Sequence, residues 1–186
     1  MRAFWQMWES YLNKELCDKI IREASFIAPI NATTFGGEKD LRRSKVRWLN
    51  RSDQNWDWLY GHIENIFKRA NSSFSFDLNY FHELQFTEYE ASYNGHYGWH
   101  EDLKWIPENG STIQRKLSMV IQLSDPSEYQ GGNLELEIPH QSPDVLRLKQ
   151  TGTAIVFPSF VKHRVTPVTQ GKRYSLVTWY EGPAFR

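Results

Sequence analysis

Two short stretches hold residues whose types and spacing suit chemistry. The first, YNGHYGWHED at 93–102, ends in a His-x-Asp pair, His100 and Asp102. The second, FPSFVKHRVTPVTQGKRYSLVTWY at 157–180, holds His163 and, ten positions on, Arg173. Residues i and i+2 of a β-strand point to one face. His100 and Asp102 would therefore project together, ready to grip one cation between an imidazole and a carboxylate. Alone the pair says little. With six histidines in the chain a chance His-x-Asp is common, and a lone histidine is ordinarily solvated or ion-paired. What matters is whether other residues converge on it.

Turn residues bear on that convergence. Asn94-Gly95 is the dipeptide of a two-residue type I′ hairpin. If it forms the turn, Tyr93 pairs with His96, Tyr89 lies across from His100, and Thr87 faces Asp102. That sets the Tyr89 phenol beside the pair, although Tyr89 would serve equally well as core. Further on, Val168–Lys172 reads as a three-residue hairpin loop with Gly171 in the left-handed position of a G1 bulge. Arg173 then faces Pro167 on the side of His163, with Ser175, Val177 and Trp179 following on the same face. A two-residue turn would throw Arg173 to the other side. His163 and Arg173 would be offset by about 13–16 Å, a gap that an arginine and a five-carbon dicarboxylate bridge together. The planar guanidinium matches a carboxylate bidentately. Its bland alternative is a structural ion pair.

The elements that must position these residues change character along the chain. Up to about residue 75 the pattern is helical. Asn13 caps a helix with Leu16, Ile20 and Ala24 on one stripe. A second follows Ser52 or Asp53, with Trp56, Leu59, Ile63, Ile66, Phe67 and Ala70 on its apolar side. Phe35–Ser44 between them is polar and reads as a loop. From Tyr80 short strands follow: Phe81–Tyr93, His96–Asp102, Lys116–Ser124, Asn133–Ile138, Thr151–Phe157, Lys162–Pro167 and Arg173–Tyr180. In the third, Leu117, Met119, Ile121 and Leu123 alternate as in a half-buried strand. The turn clusters SDPSEYQGG, PHQSPD and VTQGK separate them. This predicts a mainly β sandwich or jelly-roll barrel with N-terminal helices packed on one sheet. The 186 residues fit one domain, with 1–75 a helical support and 76–186 the β core.

Bulk composition narrows the function. Lys+Arg and Asp+Glu balance at 22 each, which argues against nucleic acid or an anionic membrane as the main partner. Hydrophobic content of 40% and aromatic content of 15% exceed what a disordered chain carries. The single cysteine, Cys17, permits no internal disulfide and fits a reducing compartment. The start, MRAFWQMWES, lacks a signal-peptide core, and no run approaches the ~18 apolar residues of a membrane span. The expectation is a soluble cytoplasmic protein.

Two histidines and one carboxylate with open coordination positions form the facial triad of non-heme Fe(II) oxygenases, whereas structural zinc usually takes a fourth protein ligand. His62, His82, His96 and His140 show no comparable placement and read as solvated surface. With the triad in view, the sequence resembles the Fe(II)/2-oxoglutarate dioxygenases, specifically the prolyl 4-hydroxylase-like branch. The matching words are YGWHED (97–102), YQGGNLEL (129–136) and GTAIVFPSFVKHRVTPVTQGKRYSLVTW (152–179), with ANSSFSFDL closing the helical start.

The resemblance implies a double-stranded β-helix, the jelly-roll form. It implies that His100, Asp102 and His163 ligate Fe(II), and that Arg173 binds the distal carboxylate of 2-oxoglutarate with help from Ser175 and Tyr89. O2 is then the co-reactant and ascorbate an optional reductant. Halogenating relatives lack the carboxylate that Asp102 supplies, so hydroxylation is implied. One departure stands out. Family members often carry Tyr-x-x-Gly-x-x-Tyr before the first histidine, and here Gly95-His96-Tyr97 is one residue shorter. That leaves Tyr89 or Tyr97 as the cosubstrate tyrosine, the hairpin count favouring Tyr89.

The branch implies a prolyl residue of a peptide or protein as substrate, with a free amino acid or other small molecule as the alternative. Nucleic-acid demethylases of the superfamily usually carry a second arginine six residues after the first; here Trp179 stands there. Leu103–Thr112 has the composition of a mobile flap, in which Trp105 would contact substrate or anchor the loop, and Phe35–Arg43 would form a second wall. The competing class is a non-catalytic jelly-roll module that holds a metal or a peptide. It has no need of Arg173 beside His163.

Overall fold

The computed structural model describes residues 4–32, 41–81, 83–103 and 112–185. In chain order the elements are β1 (Gln6–Trp8), α1 (Lys14–Ala24), β2 (Ile30–Asn31), β3 (Arg42–Arg43), β4 (Lys45–Leu49), α2 (Asp57–Phe74), β5 (Tyr80–Phe81) and β6 (Leu84–Glu90). After them come β7 (His96–His100), β8 (Ile113–Gln122), β9 (Tyr129–Gly131), β10 (Leu134–Leu136), α3 (Val145–Leu148), β11 (Ala154–Pro158), β12 (His163–Val165) and β13 (Val168–Pro183). None of the described helices is long and apolar enough to cross a membrane.

Both long helices start where the sequence places their caps. The Asn13 side chain accepts the Leu16 amide, satisfying one of the free N–H groups of α1. Asp53 caps the single 3₁₀ turn Gln54–Trp56 that leads into α2. The apolar stripe of α2, including Leu59, Ile63, Ile66 and Phe67, is fully buried, as are Cys17, Ile20 and Ala24 of α1. These residues join one apolar cluster with Leu117, Met119, Ile121, Val156 and Leu176 from the strands beneath.

The strands form two sheets. The larger runs β1-β11-β8-β13-β6-β4-β2, with β5 and β9 also paired to β13. The smaller runs β10-β12-β7-β3. Residues of both line one cavity and share a second apolar cluster, so the sheets face each other as in a jelly roll, with the helices on the outside of the larger one. The period-2 rule sorts the middle of the larger sheet, up to the register shift opposite Leu117 and Arg115. On β8, Leu117, Met119 and Ile121 meet the helices, while Val120 lines the cavity.

Three sequence expectations change. The first 75 residues contain α1 and α2 but also β1, β2, β3 and β4. Those strands are two to five residues long and several are polar, so their pairing comes from neighbours rather than from a pattern of their own. No hairpin forms at Asn94-Gly95. β6 ends in a 3₁₀ turn at Ala91–Tyr93, Asn94 takes a left-handed φ of 52°, and the chain crosses to the smaller sheet. Tyr89 therefore pairs with Arg173, and His100 with His163. Nor is there a hairpin loop at Val168–Lys172, because this segment is the start of the sixteen-residue β13. Gly171 does have the expected positive φ, 70°, but uses it to pass the Glu128 carbonyl, where a Cβ would lie 2.0 Å from that oxygen. Its partner is Tyr129 of β9, a pairing that no local signal announces.

Candidate functional site

His100 and His163 sit opposite each other on β7 and β12, and the register shifts between His163 and Val165. That irregularity matters. Strict alternation would put Tyr97 and His100 on opposite faces of β7, yet both line the cavity. Asp102 follows just beyond the strand. Its amide donates to the Ser159 carbonyl at 2.9 Å, and the next amide, of Leu103, donates to the same oxygen at 3.0 Å. The Asp102 carboxylate lies 3.7 Å from His100 Nε2 and 3.5 Å from His163 Nε2. One ligand atom from each of the three residues falls within a 4.8 Å cluster, the only such group among the described residues.

The surroundings prepare this cluster for a cation. His100 Nδ1 is 2.8 Å from the Gly98 carbonyl and His163 Nδ1 is 3.0 Å from the Val161 carbonyl. A carbonyl only accepts, so each Nδ1 carries the proton and each Nε2 presents a lone pair toward Asp102. Burial, with His163 close by, brings the His100 imidazole down to about 4, so it stays neutral near pH 7. Burial pushes Asp102 up, but His163, His100, Arg115 and the Ser118 hydroxyl outweigh it and hold the carboxyl at about 2. Ser118 donates to Asp102 Oδ2 at 2.6 Å and is itself 3.0 Å from Ser159 Oγ. An N, N, O⁻ donor set of this kind suits a divalent first-row metal such as Fe(II) and leaves positions open.

Across the cavity stands Arg173, 2% exposed. Its Nε donates to Gln122 Oε1 at 3.0 Å, and the Gln122 amide nitrogen donates to the Tyr129 hydroxyl at 3.1 Å. Gly132 makes room for the side chain, since a Cβ there would come within 2.9 Å of Arg173 Cδ. Nη1 of Arg173 is buried without a hydrogen-bond partner among the described residues. A buried guanidinium donor left open is costly. It is what a site for an anionic ligand looks like before the ligand arrives.

His100, Asp102, His163, Arg173, Ser175 and Tyr89 all line a single cavity of about 230 Å³. The six residues singled out from the sequence thus share one cavity, although their convergence had been derived from two hairpins that do not exist. The true reason is that β7 and β12 carry the triad on one sheet, while β6 and β13 carry the others on the facing sheet. The Tyr89 ring is 5.5 Å from the Arg173 guanidinium carbon. Tyr97 instead stacks on His100 with ring centres 3.5 Å apart. Gln122 and Tyr129 were missed. Gln122 is a polar residue on the off-beat of the alternating strand, and Tyr129 opens the YQGG word; either signal would have found them. Trp105 and most of the 35–43 segment lie outside the described residues. His62 and His140 are exposed, and His82 lies outside the described residues.

Known proteins share both fold and sequence. A Pseudomonas putida prolyl-4-hydroxylase covers 95% of this chain and 91% of its own, with a TM-score of 0.70 at 19% identity. A viral collagen prolyl hydroxylase from Paramecium Bursaria Chlorella virus-1, solved with 2OG, covers 97% of each chain with a TM-score of 0.72 at 18% identity. A Trichoplax adhaerens prolyl hydroxylase in complex with a hypoxia inducible factor peptide reaches 0.75 at 15% identity, covering 95% of this chain and 83% of that one. In sequence, a PKHD-type hydroxylase of Sphingopyxis alaskensis is 39% identical over 87 residues, 46% of this chain and 38% of that protein. One of Shewanella frigidimarina is 36% identical with the same coverage. The chain spans about two fifths of the length of these curated relatives. Residues 84–181, more than half of the chain and all six cavity residues above, match the 2OG-Fe(II) oxygenase superfamily. On that match the chain belongs to this superfamily, which works with Fe(II), 2-oxoglutarate and O2.

Proposed function

We propose that the protein is an Fe(II)- and 2-oxoglutarate-dependent hydroxylase that acts on a prolyl residue of a peptide or protein. The observation that carries the chemistry is the pairing of two unsatisfied sites in one cavity: the three ligand atoms of His100, Asp102 and His163, and the open Nη1 of Arg173. In this reading the two imidazoles and Asp102 hold Fe(II), and Arg173 takes the far carboxylate of 2-oxoglutarate. When bound, the iron with its cosubstrate supplies oxidative decarboxylation to succinate and CO2, coupled to hydroxylation of a C–H bond.

The chain's own part is to bind, orient and exclude water. The carbonyls of Gly98 and Val161 fix the tautomers, and Ser118 fixes the rotation of the Asp102 carboxylate. Gln122 holds Arg173 by its Nε, so that the outer edge of the guanidinium faces the cavity. Ser175 and Tyr89, next to Arg173 on the same wall, complete the cosubstrate end. Tyr89 suits that role better than Tyr97, whose ring lies against His100.

The prolyl substrate rests on the likeness to prolyl hydroxylases of known structure. Succinate should form when the protein is given Fe(II), 2-oxoglutarate and O2, and should not form with zinc in place of iron. A prolyl peptide should gain one oxygen in the same mixture. No succinate under either condition would leave the metal-holding module as the better reading.

A further inference from the structure

Two more guanidinium groups reach the cavity. Arg42 comes from β3 of the smaller sheet and Arg115 from β8 of the larger, so they enter from opposite walls. The Arg42 guanidinium carbon is 4.5 Å from the centre of the Tyr97 ring, which in turn stacks on His100. That of Arg115 is 3.8 Å from the centre of the Trp179 ring, and Asp102 is the acidic group that acts on it most strongly. Both cations therefore flank the three-residue cluster.

Little of their hydrogen-bonding capacity is used. Arg42 donates from Nε to Ser44 Oγ at 2.8 Å. No ion pair between either arginine and a carboxylate is present among the described residues. Stacking on an aromatic ring occupies the face of a guanidinium and leaves its in-plane donors free. Charge points the same way. Fe(II), the two carboxylates of 2-oxoglutarate, Asp102 and Arg173 cancel one another. Arg42, Arg115 and Glu101 remain among the lining residues, a net of one positive charge, in a partly closed cavity where an unmatched charge is expensive.

We propose that Arg42 and Arg115 form a clamp for a carboxylate of the substrate, close to the carbon that is hydroxylated. The proposal rests on the hydroxylase reading above and narrows its substrate to an acid. The carboxylate has three possible sources: a free amino acid, the C-terminus of a peptide, or an Asp or Glu side chain beside the reacting residue.

Calorimetry on the protein loaded with Mn(II) and 2-oxoglutarate separates them without turnover. The ligands are L-proline, acetyl-Gly-Pro with a free C-terminus, acetyl-Gly-Pro-Asp amide, and the neutral control acetyl-Gly-Pro amide. At least one acid should bind about tenfold or more tighter than the control, and R42Q and R115Q should each remove that preference. Whichever acid binds most tightly names the source. Affinity for 2-oxoglutarate should hold in both variants, which also shows that they fold. Acids and control binding alike, or the preference surviving in R42Q or in R115Q, would overturn the clamp and leave the hydroxylase reading intact. A fall in 2-oxoglutarate affinity in either variant would assign that arginine to the cosubstrate and overturn the clamp as well. If 2-oxoglutarate does not bind the Mn(II)-loaded protein at all, both readings go.

Discussion

On β8, Leu117, Met119 and Ile121 turn outward into the apolar cluster beneath α1 and α2, while Ser118, Val120 and Gln122 turn inward to the cavity. β13 does the same, with Leu176 in the outer cluster and Arg173, Ser175 and Val177 along the cavity. One step along a strand separates a residue packed in the apolar core from one that faces the cavity. The outer face is largely apolar, and its buried Thr178 hydroxyl donates to the Glu83 carbonyl. The inner face keeps buried polar groups: Ser118 is bonded to Asp102, Gln122 to Arg173 and Tyr129, and Arg173 Nη1 has no hydrogen-bond partner among the described residues. Burial is therefore a poor guide to role here. Side chains of both faces are buried, and what divides β8 is that Ser118 and Gln122 on its inner side are polar while Leu117, Met119 and Ile121 on its outer side are apolar.

Four substitutions break or sharpen this contrast. The largest effect is expected on the inner face: Asp102→Ala should abolish succinate formation and tight metal binding, read by metal titration, while the thermal melt stays cooperative. Wild-type turnover in that variant would remove Asp102 from the metal site. On the outer face, Met119→Ala should cost about 2–5 kcal/mol of stability, the usual range for a fully buried large side chain. Denaturant unfolding measures this, and metal affinity should not follow. Arg173→Ala should weaken 2-oxoglutarate binding by about 2–5 kcal/mol, because it strips one partner from a desolvated charge pair. An unchanged Michaelis constant for 2-oxoglutarate counts against the assignment. The smallest effect belongs to Ser118→Ala, next to Met119, which should lower metal affinity about 10–100-fold by freeing the Asp102 carboxylate. If Ser118→Ala and Met119→Ala shift stability and metal affinity in the same proportion, the division between the faces is wrong.

What the sequence revealed depended on how local its cause was. Asn13 capping α1 and the stripe of α2 are set within one or two turns of helix, and both were legible. The alternation of Leu117, Met119 and Ile121 was legible for the same reason. The residues of the candidate metal site were picked out through chemistry and family resemblance, because their types are rare in combination. Their geometry was not. Asn94-Gly95 and Gly171 carry strong turn signals, but each serves a crossing or a close approach fixed by a distant partner: the smaller sheet for one, Glu128 for the other. A local rule cannot choose between a hairpin and a crossover when both want the same backbone. The four early strands failed for a related reason, being too short to show a period before their neighbours select them. Gln122 and Tyr129 were overlooked although visible, since neither residue type suggests chemistry until Arg173 needs holding.

The attachment of Asp102 has a mechanical consequence. Its amide and that of Leu103 both end on the carbonyl of Ser159, just past β11, and its carboxylate is tied to Ser118 on β8. The tail of β7, which belongs to one sheet, is thus stitched to two strands of the other. A cation gripped there would act as a rivet through both halves of the sandwich, raising the work needed to prise them apart. Amide exchange at 102 and 103 should then slow on adding metal, while the helix-backed side of the molecule barely registers the change.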